Sequence, residues 1–361
     1  MTYADFTCQL NQRSRQQLLF ARSEVTPAQL SKPVAMWMSP DRLHNGPGWE
    51  FVLILRTIGC KYGRDPAGGC TMCGYLNDAP QNSPSVDQLR NQFQEGFRIF
   101  LERVQAKNIA PSSVAFKIFT SGSFFDPDEV PSSLQSEILS KLGDTPTVAE
   151  IAVESRPEFI ATLDKPWLAT VAQKKHFDVG VGLEAVSDAF RETYIHKGFS
   201  YKDFLTCHEQ LKSAGVGTKV YLTLKPPLAS ESVSIAEVTH SIQTLLDLGV
   251  DTISVNPVAV QRYTVVDYLH HWKQYRPPWL YSVLLSLELG TMGKDLRSTR
   301  ILCDPIAKGK DRGAHNCRDP ACNQQSLDVL HMAIIDQHFE NLLNQTNCSC
   351  KTLWRDSLAL L

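Results

Sequence analysis

The chain has no apolar run near the roughly 18–20 residues that cross a bilayer as a helix. Its first twenty residues lack the uninterrupted apolar stretch of a secretory signal. Internal repeats and low-complexity tracts are absent too, which sets aside solenoids and compositional arrays. Charge of one sign is not in surplus: 36 Lys and Arg against 38 Asp and Glu leave a net −2, without the broad cationic field of a bulk nucleic-acid binder. With 43% apolar and 20% charged residues, wholesale disorder is excluded. The expectation is a cytoplasmic protein with no membrane partner.

What the chain has in plenty is cysteine, unevenly spread. Of the ten, Cys60, Cys70 and Cys73 form one group, and Cys303, Cys317, Cys322, Cys348 and Cys350 another. Cys8 and Cys207 stand alone and read as small buried apolar residues. Disulfide frameworks belong to small secreted domains, whereas a reducing compartment turns grouped cysteines to metal or catalytic use.

From residue 51 the chain alternates short apolar runs with amphipathic stretches. Strands are expected at 51–57, 114–120, 148–154, 177–184, 217–224 and 251–255, each rich in β-branched or aromatic residues and bounded by turn formers. Helical spacing fills the gaps at 86–107, behind Ser85 as N-cap, and at 134–142, 201–214 and 235–248, the last closing on Gly249. Six strand–helix units predict an α/β fold, a partial (β/α)6 TIM-like barrel, with function at the C-terminal ends of its strands. The expected division is an N-terminal extension over 1–50, the barrel over 51–257, and a C-terminal lobe over 258–361 carrying a Cys-rich metal site.

Cys60-x9-Cys70-x2-Cys73 follows the first strand directly. Three thiolates in a glycine-rich loop can hold three corners of a 4Fe–4S cluster, leaving one iron open. A zinc knuckle competes, but zinc wants four ligands and the loop has no histidine to complete the set. In the tail, Cys317-x4-Cys322 and Cys348-x-Cys350 make two ligand pairs on the plan of a structural zinc site, with His315 and Cys303 in reserve and a second Fe–S cluster as competitor. Seven Lys and Arg against three Asp lie between Lys294 and Arg318. Upstream, His270-His-Trp-Lys-Gln-Tyr-Arg-Pro-Pro-Trp279 interleaves cations with aromatics, suited either to RNA or to a solvated basic face over buried tryptophans.

The cysteine loop after the first strand resembles that of the radical SAM superfamily, although its first gap is longer than the common CxxxCxxC and Met72 replaces the usual aromatic. That resemblance implies a 4Fe–4S cluster on Cys60, Cys70 and Cys73, and S-adenosylmethionine bound among residues of the next strand ends. Those are Ser121, Gly122 and Ser123 in TSGSFFD, Glu154 and Arg156 in ESRPE, Glu184 in GLE, and Lys197 in IHKG. In one order, KPVAMW, GCTMCGY, TSGSFF, ESRPE, KPP, SVNP, YRPPW and the cysteine tail are similar to the radical SAM enzymes of archaeosine formation. Ala314 stands where that family's RGPHNC phrase has proline. The resemblance implies a tRNA substrate carrying lysine-modified 7-deazaguanine at position 15, cleavage of that adduct to archaeosine, the lysine-transferring synthase subunit as partner, and a ferredoxin- or flavodoxin-type electron donor. Elongator-like action on another tRNA base, and a non-catalytic Fe–S and zinc RNA-binding protein, are the alternatives.

Overall fold

The computed structural model describes residues 3–22 and 24–359. One eight-stranded sheet runs in the order β1-β2-β3-β4-β5-β6-β7-β8. The strands are β1 (Ala35–Leu43), β2 (Gly46–Ile54), β3 (Val114–Phe119), β4 (Val148–Glu154), β5 (His176–Glu184), β6 (Gly217–Leu224), β7 (Thr252–Pro257) and β8 (Arg300–Leu302). β1 and β2 form an antiparallel hairpin, and every later pairing is parallel. The six expected strands are β2 to β7, with ends shifted by a few residues. β1 escapes sequence reading because Pro40 and its polar neighbours break the strand pattern, a break that an edge strand tolerates. β8 has three residues and carries too little pattern to find. The expected boundaries at 50 and 257 thus fall within one hydrogen-bonded sheet, with β1 before them and β8 after.

The crossover helices begin and end where local chemistry says they should. Ser85 caps the helix Val86–Ala106 through a reciprocal box with Gln88, and Gly249 closes Glu231–Leu248 in the left-handed region. Residues alternate along each strand between two faces. Phe51, Leu53, Phe116, Ile118, Ile151, Val153, Val179, Val181, Val220, Leu222, Ile253 and Val255 are fully buried in the main core. The intervening positions carry Glu50, Lys117, Glu150, Glu154, Asp178, Lys219 and Tyr221, so the concave face is polar.

Those polar residues meet across the sheet. Arg300 on β8 reaches Glu150 on β4 at 2.9 Å and Asp178 on β5 at 3.2 Å. His44, in the β1–β2 turn, reaches Asp178 at 3.3 Å, and Lys117 pairs with Asp41 at 2.6 Å and Glu50 at 2.8 Å. Strands so far apart in the order touch only because the sheet is rolled into an open barrel. His176, Asp178, Thr252 and Arg300 lie at the starts of their strands, so this network closes the barrel floor. The strand ends at the opposite rim are left to the loops.

Burial opposes protonation of His176, but its 2.8 Å bond to Asp178 and the charges of Asp178 and Glu150 together outweigh burial and raise its pKa. Folding therefore binds this proton more tightly than the unfolded chain does. The stability it contributes is complete below the unfolded value of about 6.5 and is lost as pH rises through the raised folded value. We expect urea-unfolding free energies to show this alkaline decline, and His176→Asn to flatten it; an unchanged slope in the variant would remove His176 from the network.

Candidate active site and metal centre

The cysteine loop leaves the sheet where β2 ends. Cys60 N–H donates to Ser121 O (3.1 Å), tying the loop to the turn after β3. The chain then turns through Lys61–Arg64 and returns to Cys70, whose carbonyl accepts from Cys73 N–H (3.2 Å). Thr71 N–H donates to Ile195 O (2.9 Å), and Val265 N–H to Thr71 O (3.0 Å). Gly74 N–H donates to Gln261 Oε1 (2.6 Å). Loops from β3, β5 and β7 thus fix one cysteine segment through its backbone.

Gly122 is needed for the first of these ties. A Cβ there would lie 2.5 Å from Cys60 Cα and 2.6 Å from Cys60 N, and would strike the Glu129 carboxylate. Glu129 accepts from Ser123 N–H (2.7 Å) and Thr57 Oγ1 (2.6 Å), and burial raises its pKa to about 7. It locks the turn to the segment before Cys60. Ser123 is fully buried, and its Oγ accepts from Arg156 N–H (3.1 Å).

Of the other expected residues, Arg156 and Lys197 lie near the thiols. Arg156 lies over the Tyr62 ring at 4.6 Å and the Phe199 ring at 5.2 Å, with Nε on Glu158 at 2.5 Å, and its charge acts on Cys60 and Cys70. Lys197 Nζ donates to Glu184 Oε1 at 2.8 Å. Burial would lower the Lys197 pKa, but Cys70 and Glu184 outweigh it and raise it. Glu184 takes φ +71°, a strained conformation at the end of β5, and its second oxygen accepts from Thr223. Glu154 bonds Tyr221, with its pKa raised first by burial.

Burial raises the Cys60 pKa, and burial with the neighbouring Cys70 brings Cys73 to about 11. Among the described residues, two groups of three or more possible ligand atoms lie within 4.8 Å of one another: Cys317, Cys322, Cys348 and Cys350, and His44, His176 and Asp178. Cys60, Cys70 and Cys73 are not such a group. At least one pair of their sulfurs is therefore more than 4.8 Å apart, wider than the edge of about 3.8 Å that a tetrahedron with ~2.3 Å zinc–sulfur bonds requires. Three spaced thiols with cations beside them fit an anionic polynuclear cluster better than a single ion. The histidine group has Arg300 on Asp178 already, which repels a metal ion, and belongs to the barrel floor.

The tail cysteines sit at two chain reversals, Cys322 early in the helix Pro320–Asp336 and Cys350 at the head of Cys350–Leu358. Cys322 Sγ and Cys350 Sγ are 3.6 Å apart, and the Tyr281 hydroxyl lies 3.3 and 3.4 Å from them. Trp279, Tyr281 and Trp354 wall the group in. This donor set fits one tetrahedral ion; a four-iron cube would push the sulfurs apart. Cys303 packs in the main core instead, and His315 Nδ1 faces Gly313 O at 2.8 Å.

Sequence reasoning missed Asn11, Arg15, Glu129 and Gln261, all of which touch the cysteine loop or the turn that holds it. A polar residue at helical spacing, or one acid among several after a strand, gives no signal of its own. Trp272 is 61% exposed, whereas Trp279 is buried beneath Arg276 at 3.8 Å.

An open parallel α/β barrel, with three cysteines at its strand ends and a four-cysteine group beyond, is the class that these features define. No protein-family model matches the chain. Archaeosine synthase subunit beta of Methanosarcina acetivorans is 34% identical over 94% of this chain and 93% of its own length. The protein of the same name from Thermococcus kodakarensis is 34% identical over 78% and 83%. Among solved structures, Methanocaldococcus infernus Elp3 with an N-terminal deletion aligns over 60% of this chain and 52% of its own, with 12% identity and a TM-score of 0.46. The chain belongs to the archaeosine synthase subunit beta family, and the resemblance read from its motifs is borne out at that level.

Gly122→Ala is expected to destabilise the fold by about 1–3 kcal/mol, the usual cost of overpacking, measured by urea unfolding; a neutral result would show that the turn is not pinned to Cys60. Cys350→Ser is expected to lose the tail's metal and lower the thermal midpoint, because metal binding is coupled to folding. Elemental analysis beside calorimetry checks it, and unchanged metal and melting would remove the site.

Proposed function

We propose that the protein is a radical SAM enzyme of tRNA modification that cleaves the lysine adduct on 7-deazaguanine at position 15 of tRNA, leaving archaeosine. The observation that carries this reading is a cysteine loop set at barrel strand ends in a chain that matches its family over 94% of its length. Cys60, Cys70 and Cys73 would hold the 4Fe–4S cluster, and S-adenosylmethionine would bind beside it. Together, when bound, the cluster and S-adenosylmethionine would supply the radical chemistry that removes hydrogen from the lysine side chain beside the C–N bond to be cleaved.

The chain's own part is to position and to exclude water. The Ser121-Gly122-Ser123 turn offers backbone groups beside Cys60. Glu154 and Glu184 set carboxylates at the barrel mouth, suited to ribose hydroxyls or to a lysine ammonium. Lys197 holds Glu184 in place, while Arg156 and Lys197 offset the charge of the thiolates. The helix Val265–His271 docks on Thr71, and at its end Tyr268 and Trp272 are exposed near His271 and Lys273. Exposed rings among cations suit unpaired bases and phosphates of tRNA. Zinc on Cys317, Cys322, Cys348 and Cys350 would brace the C-terminal lobe. The relatives' name, a subunit beta, supports a partner, which we assign as the lysine-transferring subunit; a ferredoxin- or flavodoxin-type donor would supply the electron. A cytoplasmic setting agrees with reduced thiols.

The test is anaerobic: reconstituted protein, dithionite, S-adenosylmethionine and lysine-modified tRNA, with nucleosides and 5′-deoxyadenosine read by mass spectrometry. Archaeosine with 5′-deoxyadenosine is expected, and Cys60→Ala, Cys70→Ala and Cys73→Ala should each abolish both. 5′-Deoxyadenosine alone would redirect the substrate to another base. Neither product from a full cluster would favour an RNA-binding role.

A further inference from the structure

The N-terminal helix α1 (Tyr3–Ala21) turns a polar face inward. Thr7, Asn11, Ser14 and Arg15 are buried with Leu18 at helical spacing, while Phe20 is 91% exposed. That polar face lies on the cysteine loop. Asn11 Nδ2 donates to Gly69 O at 2.7 Å, and Arg15 Nη2 donates to Cys70 O at 3.0 Å. Leu18 packs on Leu76 and Ala79, just past Cys73. Gly69 takes φ +85°, and a Cβ there would run into the Arg15 guanidinium, so the loop is shaped around this side chain.

Arg15 is 3% exposed, and its Nε and Nη1 are buried without a hydrogen-bond partner among the described residues. No other arginine among them has two such nitrogens. Its charge lies within electrostatic reach of Cys73. A buried cation with idle donors is costly unless something anionic takes them. Three thiolates around a 4Fe–4S cluster make such an anion, and reduction adds a further negative charge. A fixed cation in a dry site stabilises the reduced form more than the oxidised one.

We propose that Arg15 is a positioning residue of the cluster site, donating its free N–H groups to the cluster's sulfur and raising its reduction potential. α1 is then a wall of the redox centre. This rests on the cluster reading above, and the experiment separates the two. Full-length wild type, Arg15→Lys, Arg15→Gln and Asn11→Ala are reconstituted anaerobically, and iron content, near-UV circular dichroism and a dye-mediated redox titration followed by EPR are recorded. Wild type without a 4Fe–4S signal would sink the cluster reading itself. With the cluster present, Arg15→Gln is expected to shift the midpoint to lower potential or to lose iron while staying folded, Arg15→Lys to keep iron and most of the potential, and Asn11→Ala to leave the potential in place. Equal potentials at full iron in wild type and Arg15→Gln would overturn the proposal. So would an equal downward shift in Asn11→Ala, because that variant loosens the loop without changing charge. If Arg15→Gln does not fold, Arg15→Lys decides: a folded variant with full iron supports a role for charge, and failure to fold assigns Arg15 to structure alone.

Discussion

The rolled sheet depends on charge pairs that span its concave face. Arg300 ties β8 to β4 and β5, and Lys117 ties β3 to the β1–β2 hairpin. Each pair is nearly out of water, so each charge relies on its partner. Removing one member of such a pair costs about 3–5 kcal/mol, far more than a surface pair. An apolar lumen would also pack, but side chains would not then fix which strands face each other. Here the pairing of unlike charges across the lumen holds one curl, and that curl brings the ends of β2 to β7 around a common rim.

Everything at the rim follows from that convergence. The cysteine loop has little regular structure of its own, and hydrogen bonds to the backbones of Ser121, Ile195 and Val265 and to the Gln261 side chain give it shape. Cys70 is buried and Cys60 and Cys73 are half-buried, and desolvation raises the pKa of the latter two, which holds them protonated until something positive arrives. Arg156, Lys197 and Arg15 approach from β4, from the segment after β5 and from α1. Cations converging on these thiols make thiolates affordable only together with the group they would hold.

The two cysteine groups show how spacing sorts metal chemistry. In the tail, the Cys322 and Cys350 sulfurs lie 3.6 Å apart and both contact the Tyr281 hydroxyl, inside a wall of tryptophans. The loop sulfurs are not gathered so closely, and charged side chains lie beside them. A closed tetrahedral set suits structure, and a wider set with a free corner suits chemistry. The same amino acid serves both because its surroundings differ.

Strands β2 to β7, the helix caps at Ser85 and Gly249, the two cysteine groups and the family motifs were all legible in the chain, because each is a local pattern of period, turn residue or spacing. The floor network, the lock at Glu129 and the inward polar face of α1 were not. Arg15 and Cys70 are 55 positions apart, and Arg300 and Glu150 are 150 apart. Nothing in the local pattern around Arg15 separates a solvated arginine from a buried one. What the sequence by itself determined is the residues of β2 to β7, the main crossover helices and the thiol groups. Only the tertiary structure decided which charges those thiols meet, because a charge gains its meaning from the dielectric and the partners that folding places beside it.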